Sequence, residues 1–158
     1  MRAINLFAIV IMACVLPAEA RIGETLEQCK ARYGEAETQD APPPAEQCYL
    51  FHKNGIMVVV ALVGGRAAQI VYAAVSPRGE SGELSGTQVT GLLAANSNGG
   101  SWTRSDDVGP TVYWMRSDRQ VVAVYEPIRG YLTLTTVAHM NACKALKDEQ
   151  EKQAISDF

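Results

Sequence analysis

The residues of this chain whose chemistry could go beyond packing are few: two histidines, three cysteines after residue 20, one pair of adjacent aspartates and the glycine pair Gly64-Gly65. Nucleophilic catalysis needs a Ser or Cys, a base within hydrogen-bond reach and a third group that orients the base. His52 lies in the strand-like segment QCYLFHK and His139 in the first turn of the last predicted helix. Neither carries a partner motif, so both are read as structural. Asp106 and Asp107 stand side by side in a Gly/Ser-rich loop, where carboxylates are ordinarily solvated, and no proton-transfer partner is signalled. There is no C-x-x-C and no Cys/His spacing that suits zinc, so neither a metal nor another cofactor is expected.

The glycine pair sits in VALVGGRAAQIV, residues 60 to 71. A phosphate-cradling loop would approach G-x-G-x-x-G or end in Gly-Lys-Ser/Thr and would open a helix. Instead Gly64-Gly65 is followed by the β-branched and aromatic segment AAQIVYAAV, which predicts a turn between two strands. A nucleotide site is thereby set aside.

At the N-terminus, Arg2, an apolar stretch from Leu6 to Leu16 and the small-x-small pattern Ala18-Glu19-Ala20 predict a signal peptide over residues 1 to 20, cleaved before Arg21. The apolar stretch of about 11 residues is shorter than the roughly 20 that a spanning helix needs, so no transmembrane segment is expected. An alternative processing would lipidate Cys14 in Ile11-Met12-Ala13-Cys14, where Met12 is atypical for a lipobox. Cleavage removes one basic group, Arg2, and one acidic group, Glu19, so the net charge stays at -3 and gives no electrostatic case for nucleic acid. Three cysteines remain, Cys29, Cys48 and Cys143. An odd number in an oxidising compartment predicts one bridge plus one thiol, an intermolecular bridge, or buried free thiols; a Cys29–Cys48 bridge would close a loop of about 20 residues.

An offset of 63 residues aligns 51 to 72 with 114 to 135 without gaps, placing Val58 and Val59 on Val121 and Val122, Lys53 on Arg116 and Arg66 on Arg129. Carried upstream, the offset brings Gly23 onto Gly86 and Cys29 onto Leu92. The expectation is a single domain, 21 to 158, of two tandem α-β-β-β repeats, 22 to 75 and 84 to 136, with a C-terminal helix over 137 to 154. The first helix carries Leu26, Cys29 and Tyr33 and stops at Gly34; the second carries Val89, Leu92 and Leu93 and stops at Asn96. Strands are expected at 47 to 53, 56 to 63 and 67 to 75, then at 111 to 116, 119 to 126 and 130 to 136. Asn54-Gly55 and Ser117-Asp118 are read as two-residue hairpin turns, and 35 to 46 and 97 to 110 as irregular loops. Hairpins between consecutive strands leave no room for crossover helices. The fold class is therefore α+β, an antiparallel sheet with helices packed on one face.

Trp102, Tyr113, Trp114, Tyr125 and Tyr131 crowd the second copy and are the candidate binding residues, because aromatic side chains concentrate interface energy. Their structural alternative is a two-sided core. Tyr131, Thr133 and Thr135 alternate with Leu132 and Leu134, which places the leucines in the core. Trp102, in a loop, is taken as the most exposed of the five.

The pattern around Gly23, Thr25, Cys29, Tyr33 and Gly34, the Asn54-Gly55 hairpin, and Gly86, Val89 and Leu92 resembles the tandem-repeat β-lactamase inhibitor protein fold and small envelope lipoproteins of the SmpA/OmlA type. The family's proline two residues beyond the helix-ending glycine is Ala36 here, and Asn54-Gly55 stands where the inhibitors present an aspartate, so no inhibitory residue carries over. The resemblance implies an exported, non-catalytic binding or assembly module whose partner is another exported or envelope protein. The rival expectations are a small exported α+β hydrolase or isomerase with His52 as base, and a carrier holding an apolar ligand beneath the sheet.

Overall fold

The computed structural model describes residues 21–76, 78–105 and 109–156; the expected signal peptide, with Cys14, and the Asp106-Asp107 pair lie outside the described residues. The elements run α1 (Leu26–Tyr33), β1 (Glu37–Gln39), β2 (Gln47–Lys53), β3 (Ile56–Val63), β4 (Arg66–Val75), β5 (Ser81–Gly82), α2 (Gly86–Ala95), β6 (Trp102–Ser105), β7 (Val112–Arg116), β8 (Val121–Glu126), β9 (Tyr131–Thr136) and α3 (Val137–Ser156). Eight strands pair antiparallel in the order β1-β2-β3-β4-β9-β8-β7-β6, and β5 adds to β4 off this path.

Each of the first two helices starts on a reciprocal cap. Thr25 Oγ1 accepts from Gln28 N at 3.4 Å while Gln28 Oε1 accepts from Thr25 N at 2.8 Å, and Ser85 and Gln88 repeat the device at 3.2 and 2.8 Å. Two backbone donors that a helix start leaves without partners are satisfied at each end. The opposite ends also have a feature in common: Lys53 Nζ donates to Arg32 O at the end of α1, and Arg116 Nη1 donates to Asn96 O at 3.1 Å at the end of α2. A cation there complements both the unpaired carbonyls and the negative pole of the helix.

Strand alternation sorts the sheet into two faces. On one, Phe51, Val58, Tyr72 and Leu132 line up across β2, β3, β4 and β9, and the next row runs Tyr49, Val60, Ile70, Leu134, Ala123 and Trp114. These rows pack with Cys29 and Tyr33 of α1 and with Val89, Leu92 and Leu93 of α2 into one core. Leu132 and Leu134 are fully buried in it, as the alternation required. A bulge at Ala68 shifts the register between Ala61 and Leu62, which puts Ala67 on the helix side with Leu62 and Ile70.

Several sequence expectations need correction. The supposed loops 35 to 46 and 97 to 110 contain β1 and β6. These are outer strands whose polar side chains, ETQ and the TRS of WTRS, are exposed and carry no apolar alternation to read. The β7–β8 connection is four residues, 117 to 120, not a two-residue turn, and Arg119 takes the left-handed conformation at φ 57°. The extra length lets the Asp118 carboxylate close back on Arg116, with Nη2···Oδ2 at 2.7 Å. The Gly64-Gly65 prediction stands: φ is 58° and 69°, and the pair joins β3 directly to β4.

Asn96 ends α2 and is 1% exposed. Its Oδ1 accepts from Ile22 N at 3.1 Å, and its Nδ2 donates to Tyr72 Oη at 3.2 Å and to Leu92 O at 3.0 Å. Asn96→Ala removes the acceptor of the Ile22 N–H and the side-chain link from α2 to Tyr72, and is expected to cost about 1–3 kcal/mol in urea unfolding, the usual cost of one orphaned group. Gly130, between β8 and β9, has φ 70°, and an added Cβ would lie 2.5 Å from Gly82 O. Gly130→Ala therefore combines backbone strain with a backbone clash and is expected to lower stability by at least about 1–3 kcal/mol in the same assay.

Candidate functional site

The face of the sheet away from α1 and α2 is the broadest feature that the core does not use. One row crosses it as Leu50, Val59, Val71, Thr133, Val124 and Tyr113 on β2, β3, β4, β9, β8 and β7. The neighbouring rows bring Met57, Ala73 and Tyr131, and Ala61, Thr135, Val122 and Met115. Tyr113 and Met115 are 37% and 38% exposed, and Leu50, Met57, Val59, Val71, Val122, Val124 and Tyr131 are half-buried. Eight strands about 4.8 Å apart, each some five residues long at about 3.4 Å per residue, make a face of roughly 600 Å². One partner in a standard protein–protein interface contributes about 800 Å². The face thus reaches the lower end of the standard range, about 600 Å² per partner.

The five aromatic candidates divide between the two faces. Trp102 is not an exposed loop residue: it opens β6, packs against the core, and its indole Nε1 donates to Leu93 O of α2 at 2.7 Å. Trp114 packs on the same core, as does Tyr125, whose hydroxyl donates to Leu84 O at 3.0 Å. Only Tyr113 and Tyr131 belong to the open face. Period-two alternation separates Tyr113 from Trp114 at once, whereas the assignment of Trp102 depends on a strand too short to show a pattern.

His52 also lies on the open side, exposed, with Met57 as its cross-strand neighbour. The shallow hollow beside it is lined by Lys53, Asn54, Gly55, Ile56, Val75 and Ser76, which supplies no carboxylate to orient an imidazole. A second hollow, of about 340 Å³, gathers Arg21, Arg66 and Arg116 near the start of α1. Two of these arginines are engaged in holding the fold together: Arg116 on Asp118 and Asn96 O, and Arg66 on Gly23 O at 3.0 Å. No group of three or more His, Cys, Asp or Glu side chains able to hold a metal occurs among the described residues.

All three described cysteines are free thiols, and their surroundings differ. Cys29 is fully buried on the helix side, and burial, helped by the nearby Glu24 carboxylate, pushes its thiol up to about 11. Cys48, 5% exposed, stands in the row of Ala61 and Gln69 on the other face, so the sheet itself separates it from Cys29. Burial raises its thiol as well. Cys143 is exposed on α3, and its Sγ lies 3.6 Å from Nε2 of His139, one helical turn earlier. The signal for this pairing in the sequence is the i,i+4 spacing of His139 and Cys143 within a predicted helix, which neither residue shows alone. His139 is 6% exposed, and its Nδ1 is buried without a hydrogen-bond partner. It borders a mostly apolar hollow of about 350 Å³ with Pro44, Val63, Ala68, Ala138 and Ala142.

No family model matches the chain, and no curated protein matches it. Among solved structures, the chain is similar to a cysteine-rich secretory protein from Staphylococcus aureus, with 11% identity, a TM-score of 0.41, and coverage of 74% of this chain and 45% of that one. The chain thus spans less than half of that protein's length, and a likeness of this degree carries no argument about activity or partners. The protein is α+β, with an eight-strand antiparallel path, two helices on one face and a third at the C-terminal end. No helix among the described residues is long and apolar enough to cross a membrane.

Burial holds the His139 imidazole below its usual value. The folded chain thus binds fewer protons than the unfolded chain between the two values. The stabilising contribution is complete above the unfolded value of about 6.5 and is lost as pH falls through the lower folded one. Unfolding free energy measured from pH 7.5 down to about 5 is expected to decline, with a shallower decline in His139→Gln.

Proposed function

We propose that the protein is an exported, non-enzymatic interaction module whose open sheet face docks another exported or envelope protein. The observation that carries this is the row of apolar side chains on the face opposite α1 and α2, ending in the exposed pair Tyr113 and Met115. The sheet edges favour docking on the face over strand addition: β1 is three exposed polar residues, and the exposed part of β6 is Thr103, Arg104 and Ser105. Short polar edges discourage a further strand.

The same proposal includes the two-repeat architecture, one domain from 21 to 158 after removal of residues 1 to 20, and kinship with the tandem-repeat β-lactamase inhibitor and small envelope lipoprotein folds. Three matched features support the repeat: the capping boxes Thr25/Gln28 and Ser85/Gln88, the helix-end contacts of Lys53 and Arg116, and a strand order that reads alike outward from β4 and from β9. The strands keep the offset of 63 between Lys53 and Arg116, while the caps are offset by 60. The capping boxes thus set Cys29 against Val89 and not Leu92, and Gly23 no longer falls on Gly86, so the offset of 63 applies to the strands alone. The hydrolase or isomerase alternative with His52 gains no support from the surroundings of that imidazole.

The test places a photo-crosslinking side chain at Met115 or Tyr113, and as a control at the exposed Gln150 of α3, in cells that export the protein. Discrete adducts from the sheet positions alone are expected, and Val124→Glu should reduce them at least tenfold without changing the melting temperature. Adducts equally abundant from Gln150, or none from either sheet position, would refute docking on this face.

A further inference from the structure

We infer that Cys143 and His139 form a thiol–disulfide exchange site, through which the protein joins covalently to a disulfide-bearing partner seated in the hollow beside His139. Cys29 and Cys48 are closed off, which leaves Cys143 as the accessible thiol among the three described. Its neighbours Lys144 and Lys147 are paired with Asp148 at 2.6 Å and Glu151 at 3.7 Å, so His139 is the group in contact with Sγ. The second, independent observation is the imidazole itself. It is more than nine-tenths buried, borders the hollow, and has an Nδ1 with no partner.

A neutral imidazole whose Nε2 accepts the thiol hydrogen carries its own hydrogen on Nδ1. That buried donor is satisfied when a ligand in the hollow brings an acceptor. An acceptor at Nδ1 also strengthens Nε2 as a base, by the tautomer coupling that orients histidines elsewhere. The hollow selects an apolar body through Pro44, Val63 and Ala142, and Arg66 is the charged side chain at its lining. The ligand chemistry is thus a disulfide next to an apolar group that bears a carbonyl or carboxylate.

The exchange balances without a further reagent. The proton of Cys143 passes to Nε2 of His139, and Sγ attacks the nearer sulfur of the partner disulfide. That S–S bond breaks as the Cys143–partner S–S bond forms. The departing sulfur leaves with the electron pair and recovers the proton from Nε2. Cys143 is oxidised and the departing sulfur is reduced. Burial disfavours a lasting imidazolium, so the proton is returned and not stored. Use of the site in the cell rests on the export proposal, since disulfide-bearing partners belong to oxidising compartments. Reactivity in solution does not depend on export, so the two can fail separately.

The experiment uses the reduced chain beginning at Arg21, with dithiobis(nitrobenzoate) as an apolar, carboxylate-bearing disulfide and hydroxyethyl disulfide as a hydrophilic one. One thiol per chain is expected to react fast with the aromatic reagent and the other two only in denaturant. The fast phase should disappear in Cys143→Ser. His139→Gln, checked for an unchanged melting temperature, should slow it about tenfold or more, a fraction of what a placed base ordinarily contributes. The wild-type rate should bend downward as pH falls below the ordinary imidazole range, where the buried His139 protonates, and this needs no variant. The aromatic reagent should gain over the hydrophilic one relative to the same chain unfolded. A fast phase that survives Cys143→Ser, a wild-type pH profile without the bend, or no preference between the reagents would overturn the inference.

Discussion

The buried amide of Asn96 is the contact on which the rest of the architecture depends. Through Oδ1 it holds Ile22 at the start of the described chain, through Nδ2 it reaches Tyr72 at the centre of the sheet and Leu92 in its own helix, and its carbonyl receives Arg116 from β7. Tyr72 in turn bonds to the Tyr33 hydroxyl, which burial and that neighbour raise far above the ordinary phenol range. The N-terminal segment, both core helices, a central strand and the outer strand β7 thus converge on one desolvated group. Full satisfaction makes such a network specifying, because any other packing leaves a polar atom stranded.

Around that point the sheet does two jobs with its two faces. Side chains toward the helices are almost dry: Phe51, Ile70, Tyr72, Ala123, Leu132 and Leu134 are fully buried. On the other face Leu50, Met57, Val59, Val71, Val122, Val124 and Tyr131 are only half-covered, while the small Cys48, Ala61 and Ala73 are buried. The aromatics follow the same division, with Trp102 and Tyr125 spending their polar atoms on backbone carbonyls of Leu93 and Leu84. An aromatic so tied contributes to the fold; Tyr113 and Tyr131 lie on the open face, where the proposed docking would use them.

The two proposed sites thus differ in character on one small protein. The open face is broad and chemically plain, suited to a partner's surface. The start of α3 is narrow and chemically specific, pairing an exposed thiol with a dry imidazole and a hollow of about 350 Å³. Both leave the helix-side core untouched, which is consistent with function built on a scaffold that need not move.

Much of this was already written in the chain itself. Thr25-x-x-Gln28 and the Ser85 cap dictate where two helices begin, Gly64-Gly65 dictates a turn, and alternation through YLTLTT dictates that Leu132 and Leu134 point inward. These are local facts, set by backbone geometry and period-two patterning. The strands β1 and β6 were illegible because an outer strand's pairing is paid for by its neighbour and not by its own side chains. Only the tertiary structure separated Cys29 from Cys48 by a sheet, turned Trp102 inward onto Leu93, and made His139 dry. Burial and proximity depend on what the rest of the chain brings alongside, and no residue type or local spacing encodes that.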